Sequence, residues 1–142
     1  MRRFSRIFAW TTLFFVAGAV LFFTKAAALP YKVAWPVLLL SLATFLSRRR
    51  ELLPFGFAFL FSAAGDAVGA RGLFIPQMAF FALAHAAYGF RCAALLFVFS
   101  DAVIAWNRFI GPVPARTWIV MITYYLAQYL FFRFAFKTAA RN

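Results

Sequence analysis

Two of the three acidic residues in this 142-residue chain, Asp66 and Asp101, sit inside apolar runs. A pair of carboxyl groups held away from water is equipment for moving protons. It is also costly, on the order of 2.5–3.5 kcal/mol for each charge placed at the middle of a membrane helix. Residues able to compensate stand close by in sequence. Ser62 lies one helical turn before Asp66, Ser100 is adjacent to Asp101, and Asn107 and Arg108 follow one to two turns later. His85 and Tyr88 share a face of one run, and Tyr124, Tyr125 and Gln128 form a third polar cluster in the last. At about 1.5 Å of rise per residue, Asp66, Asp101 and Tyr124 are expected to meet in one cavity, with His85 deeper in the membrane.

Each polar residue also has a structural reading. Asp101 could pair with Arg108, His85 could donate to a nearby carbonyl, and the tyrosines could anchor the chain at the lipid interface. The two aspartates weigh toward function, because a packing role is filled more cheaply without a carboxylate. Gly65 and Gly69 bracket Asp66 in a Gly-x-x-x-Gly spacing, which turns that face toward a neighbouring helix and away from lipid. The lone Cys92 rules out an internal disulfide and any cysteine-based metal cluster, and is expected simply to pack. No spacing in the chain implies a metal, nucleotide or redox cofactor.

The elements that must position these groups follow from composition. Apolar and aromatic residues make up 66% of the chain and charged residues 13%, more apolar side chain than a soluble domain can hide. Runs of about 17 to 20 apolar residues match a hydrocarbon layer about 30 Å thick. The expected fold is an all-α, polytopic transmembrane bundle forming a single domain over 1–142. Its six spans are approximately 7–24, 31–47, 53–70, 73–90, 92–110 and 117–136. Pro30, Pro36, Pro54 and the stretch Gly111-Pro112-Val113-Pro114 punctuate it at span starts, where proline costs little. A tight turn at Gly89, with Arg91 at the headgroups, separates the fourth and fifth spans.

The net charge of +12 comes from basic residues at the edges of apolar runs. That distribution suits anionic headgroups and argues against nucleic acid as a partner. With the N-terminus inside, ten Lys and Arg fall on the cytoplasmic side and five (Lys25, Lys32, Arg71, Arg108, Arg116) outside. The positive-inside rule therefore favours both termini inside, in a bacterial cell (inner) membrane. The competing reading of the N-terminus is a cleaved signal peptide, with Ala26-Ala27-Ala28 as its cleavage site. The apolar run is longer than the usual h-region of about 7–15 residues.

Three blocks resemble the lysoplasmalogenase-like (YhhN-like) membrane family. Phe61-Ser62-Ala63-Ala64-Gly65-Asp66 is similar to its Ser-x-x-Gly-Asp, and residues 79–88, with His85 and Tyr88, to its Phe-x-x-x-His-x-x-Tyr. Ser100-Asp101 followed by Asn107-Arg108 resembles its Ser-Asp block, and Tyr124-Tyr125-Leu126-Ala127-Gln128 its Tyr-Tyr-x-x-Gln helix. The blocks occur in family order, across roughly residues 33 to 132. Trp35-Pro36 departs from the Lys-Pro often found there. The stretch expected between the His/Tyr and Ser-Asp helices is missing, so the chain reads as one helical hairpin shorter than an eight-span family member.

The resemblance implies a hydrolase that cleaves the vinyl-ether bond of lysoplasmalogen, releasing a fatty aldehyde and glycerophospho-ethanolamine or -choline. It implies Asp66 and Asp101 as the acid–base pair, in either assignment. Ser62, His85, Tyr88, Ser100, Asn107, Tyr124, Tyr125 and Gln128 are then implied to bind or orient substrate and water. Removal of a hairpin could open the site to lipid or require a second copy of the chain to close it. The alternatives are a proton-coupled transporter or lipid-binding protein that uses the same aspartates, and an inactive relative.

Overall fold

The structure is a computed structural model that describes residues 2–24, 31–88 and 92–141. The expectations for Lys25, Ala26-Ala27-Ala28, Pro30, the Gly89 turn and Arg91, and for the Cys92 side chain, lie outside what is described. Among the described residues the chain forms six α-helices: α1 (Arg2–Phe23), α2 (Ala34–Leu46), α3 (Leu53–Gly69), α4 (Phe74–Tyr88), α5 (Cys92–Phe109) and α6 (Arg116–Arg141). A short 3-10 turn, Arg50–Leu52, precedes α3. The all-α helix bundle expected from composition is what forms.

Three helical stretches, Phe4–Phe23, Arg50–Gly69 and Arg116–Arg141, are long and apolar enough to cross a membrane, whereas Ala34–Leu46 and Phe74–Tyr88 are apolar but shorter. Two helices overrun the spans expected for them. α1 begins five residues before Ile7 and α6 continues five residues past Phe136. The reason is that a helix satisfies its own backbone and need not stop where the hydrocarbon does, and Arg and Lys are good helix formers. At 26 residues α6 is about 39 Å long, more than a hydrocarbon core needs.

Helix packing is sequential. α3 lies between α2 and α4, α5 packs on α6, and α1 packs on α2. Small residues set the close approaches. The Ser41 hydroxyl donates to the Gly56 carbonyl at 2.9 Å, and a Cβ at Gly56 would come within 2.8 Å of the Thr44 hydroxyl oxygen. A Cβ at Gly65 would meet the Phe81 ring at 2.5 Å, and one at Gly69 the Gln77 side chain at 2.5 Å. The Gly-x-x-x-Gly face thus seats α4, and the helix that approaches it brings Phe81 beside Asp66. Between α3 and α4 the chain turns through Gly72, at φ +76°, a conformation that suits a residue without Cβ.

α1 is joined to the bundle through rings. Phe4 stacks on Phe136 at 4.7 Å, Phe8 on Phe132 at 5.4 Å and Phe23 on Trp118 at 4.4 Å, so α1 and α6 run antiparallel. The first turns of α1 and the last turns of α6 therefore share one end of the bundle. Arg49 reaches that end as well, its guanidinium 5.5 Å from the Phe4 ring centre. Lys32, over the Phe22 ring at 5.4 Å, marks the opposite end. Much of the outer surface is large and apolar, including Trp10, Leu13, Leu42, Ile75, Leu95 and Phe109, as a lipid-facing surface must be.

Gly65→Ala is expected to destabilise the bundle by about 1–3 kcal/mol through overpacking against Phe81. Gly111→Ala, whose new methyl group meets nothing within 4 Å, is expected to leave stability unchanged. Thermal unfolding of both variants in one detergent checks the pair.

Candidate functional site

Helix spacing explains which groups converge. On α6, Arg116, Val120 and Tyr124 recur every four residues and so occupy one stripe. On α4, Gln77 and Phe81 do the same, with His85 a further turn along. The α6 stripe, the α4 stripe and the Gly-lined face of α3 enclose a cavity of about 260 Å³. Its lining includes Asp66, Gln77, Phe81, Arg116 and Tyr124, with apolar walls from Phe22, Val33, Ile104 and Met121. It sits at the Lys32 end, opposite the arginines near Phe4. Asp66 is 5% exposed, and its Oδ2 accepts a hydrogen bond of 2.7 Å from the Tyr124 hydroxyl, 58 residues away. The donor needed to hold a carboxyl in apolar surroundings therefore comes from α6, not from Ser62 on its own helix.

Asp101 is compensated differently from the expectation. Its partner is His85, with Nε2 3.2 Å from Oδ2, not Arg108 two turns on. His85 thus lies level with Asp101, because α4 and α5 cross where these side chains face one another. The contact joins a half-buried imidazole to a half-buried carboxyl. Asp101 Oδ1 is buried without a hydrogen-bond partner among the described residues. Asp101 is also absent from the cavity lining, so the expected single cavity holding Asp66, Asp101 and Tyr124 contains only the first and last.

Phe97 stands between the two groups. Fully buried, its ring is 4.3 Å from His85, 5.1 Å from Tyr124, 5.4 Å from Phe81 and 6.2 Å from Tyr88. It separates the Asp66–Tyr124 cavity from the Asp101–His85 pair. A third polar cluster lies beyond it. The Tyr88 hydroxyl donates to Gln128 Oε1 and lies 3.4 Å from Ser62 Oγ, while its ring stacks on Phe131 at 3.9 Å. Gln128 Nε2 is buried without a hydrogen-bond partner among the described residues.

The other expected site residues do not join these groups. The Ser100 hydroxyl returns to its own helix at the Phe97 carbonyl, 2.8 Å away, because a serine in a helix reaches the preceding turn more readily than its neighbour. Asn107 closes the α5–α6 connection by accepting from the Val113 amide at 3.1 Å. Tyr125 donates to the Val33 carbonyl at 3.2 Å and so ties α6 to the start of α2. Of Tyr124, Tyr125 and Gln128, read as one cluster, Tyr125 points elsewhere because consecutive helical residues are about 100° apart, while Tyr124 and Gln128 share a face but, one turn apart, meet Asp66 and Tyr88 respectively.

Reasoning from sequence missed Arg116, Gln77, Phe81 and Phe97. For Arg116 the signal was present, since it stands eight residues, about two turns, before Tyr124 on the same stripe. Phe97 carried no signal distinguishing it from the other phenylalanines.

What the fold and the site define is an integral membrane helix bundle with one buried and one half-buried carboxyl group, the buried one facing a small cavity. Residues 89–134 match the model of the YhhN family. Lysoplasmalogenase TMEM86B of Homo sapiens is 42% identical over 66 residues, covering 44% of this chain and 27% of the human protein. The proteins of the same name from Sus scrofa and Rattus norvegicus are 54% and 49% identical over 37 residues, covering 26% of this chain and 16% of each relative. The matched part of the chain thus spans about a quarter or less of these relatives. No solved structure matches the chain. Part of the chain is thus similar to the YhhN family and to proteins named lysoplasmalogenase, and the family-model match covers the Ser100-Asp101 and Tyr124-Tyr125 blocks.

Gln128→Leu removes the acceptor of the Tyr88 hydroxyl and is expected to cost about 1–3 kcal/mol. Thermal unfolding in detergent measures the loss. Ser62→Ala, which gives up a contact of 3.4 Å, is expected to cost less.

Proposed function

We propose that this chain hydrolyses the vinyl-ether bond of a lysoplasmalogen-like lipid, with Asp66 exchanging the proton in the cavity it shares with Tyr124. The observation that carries this reading is the cavity itself. It combines a buried carboxyl, a hydroxyl that fixes one carboxyl oxygen, apolar walls and one cation, Arg116. That set corresponds to the parts of the substrate: a reacting carbon–oxygen group, an apolar chain and a phosphate.

In the proposed reaction a proton passes to the outer vinyl carbon, the C=C electron pair forming the new C–H bond. The resulting oxocarbenium ion takes up water, which gives a proton back to a carboxylate. The hemiacetal then breaks its C–O bond, so that one lipid and one water yield one aldehyde and one glycerophospho alcohol. Tyr124 occupies Oδ2 of Asp66 and leaves Oδ1 for exchange with substrate. Asp101, behind Phe97 and hydrogen-bonded to His85, supplies a carboxylate toward the cationic intermediate. Arg116 is placed to meet the phosphate, in keeping with Arg as a phosphate-binding residue.

The cavity of about 260 Å³ lies just under the range of about 300–1,000 Å³ typical of small-molecule sites. It suits the glycerophosphate end and the vinyl ether, while the alkenyl tail extends into the membrane along the apolar surface. In this reading the bundle crosses the membrane six times, with the Arg48-Arg49-Arg50 end cytoplasmic and the cavity in the outer half, in a bacterial inner membrane. A second copy of the chain is one way to wall the cavity where the matched relatives have more sequence.

Asp66→Asn is expected to lower aldehyde release at least about 100-fold, the usual scale of a general acid–base group, with folding in detergent retained. Asp101→Asn is expected to do the same. Tyr124→Phe is expected to reduce kcat with little change in KM, and Arg116→Gln to raise KM with kcat preserved. Purified protein incubated with lysoplasmalogen, with free aldehyde as the readout, tests all four. Unchanged turnover in Asp66→Asn overturns the acid–base reading. Proton-driven lipid flux in proteoliposomes without aldehyde points to a transporter instead.

A further inference from the structure

At the arginine-dense end, far from the cavity, a second feature has the chemistry of a lipid site. Leu130, Arg133, Phe134 and Lys137 of α6 fall at i, i+3, i+4 and i+7, a single stripe of two apolar and two cationic side chains. Ala93 and Leu96 of α5 stand opposite, one turn apart, and Phe131 is the fully buried floor. Together they line a groove of about 660 Å³. That volume is well inside the about 300–1,000 Å³ range of ligand pockets. No acidic residue is in the lining, and neither Arg133 nor Lys137 has an ion-pair partner among the described residues.

We propose that this groove binds one anionic phospholipid, its acyl chain against Leu96, Leu130 and Phe134 and its phosphate held by Arg133 and Lys137. Charge complementarity selects the occupant. The pair of cations at i and i+4 matches a headgroup with net negative charge, and basic pockets between membrane helices on the cytoplasmic side hold such headgroups. A second copy of this chain is disfavoured, since two such faces would bring four cations together. The groove is independent of the hydrolase reading, because none of its residues lines the Asp66 cavity.

The test uses the full chain in neutral detergent, with phosphatidylglycerol and phosphatidylcholine of identical acyl chains as probes, read by native mass spectrometry and by thermal shift. Phosphatidylglycerol is expected to stay bound and to raise Tm, and phosphatidylcholine to do neither. Arg133→Gln/Lys137→Gln is expected to weaken phosphatidylglycerol binding about 30-fold. Arg50→Gln/Arg141→Gln, an equal loss of charge at exposed positions outside the groove, is expected to leave it nearly unchanged. Ala93→Trp, which fills the groove and keeps both cations, is expected to abolish binding. If that variant fails to fold, the two charge pairs decide alone, since their side chains are exposed. Equal binding of the two lipids, or equal loss in both charge pairs, overturns the proposal.

Discussion

A carboxyl group inside an apolar bundle must be given its hydrogen-bond donor by the protein, and that requirement organises this one. Asp66 takes its donor from Tyr124 on α6 and Asp101 takes its partner from His85 on α4. Each acid is thereby bound to a helix distant in sequence, so positions on α3, α4, α5 and α6 are fixed by polar contacts that a lipid-facing surface cannot provide. The glycines of α3 serve the same end. By letting α4 approach closely at Gly65 and Gly69, they bring Phe81 and Gln77 to the edge of the Asp66 cavity.

The two acids differ in surroundings as well as in partner. Asp66 faces a cavity that also contains a cation, whereas Asp101 is hydrogen-bonded to His85 on the far side of a phenylalanine. A fully buried aromatic ring thus lies between the cavity acid and the half-buried one.

The all-α architecture was legible in the sequence because long apolar runs admit few other solutions. That Asp66 and Asp101 need partners inside the bundle was legible too, since a charge in such a run demands compensation. Their partners were not. Sequence proximity suggested Ser62 for Asp66 and Arg108 for Asp101, but a partner across a helix interface is set by packing, and Tyr124 and His85 lie 58 and 16 residues away. Ser100 and Asn107 misled for the same reason: both are satisfied locally, one by the preceding turn and one by a loop amide. The family-like blocks carried information that spacing alone did not, and the matches to the YhhN family and to proteins named lysoplasmalogenase agree with that resemblance.

α4 and α5 meet mainly through side chains, with Phe97 and Asp101 reaching across to Phe81, His85 and Tyr88, while their backbones pack chiefly on α3 and α6 respectively. The bundle is thus two backbone-packed blocks, α1–α2–α3–α4 and α5–α6, stitched along a seam of rings and of the hydrogen bonds Tyr124–Asp66, Tyr88–Gln128, Tyr125–Val33 and His85–Asp101. Such a seam tolerates changes in the length of the connecting chain, because neither block loses a helix–helix interface when the connection is lengthened or shortened. Chains that differ in the length of this connection can then keep one arrangement of side chains, provided the few residues that cross the seam are kept.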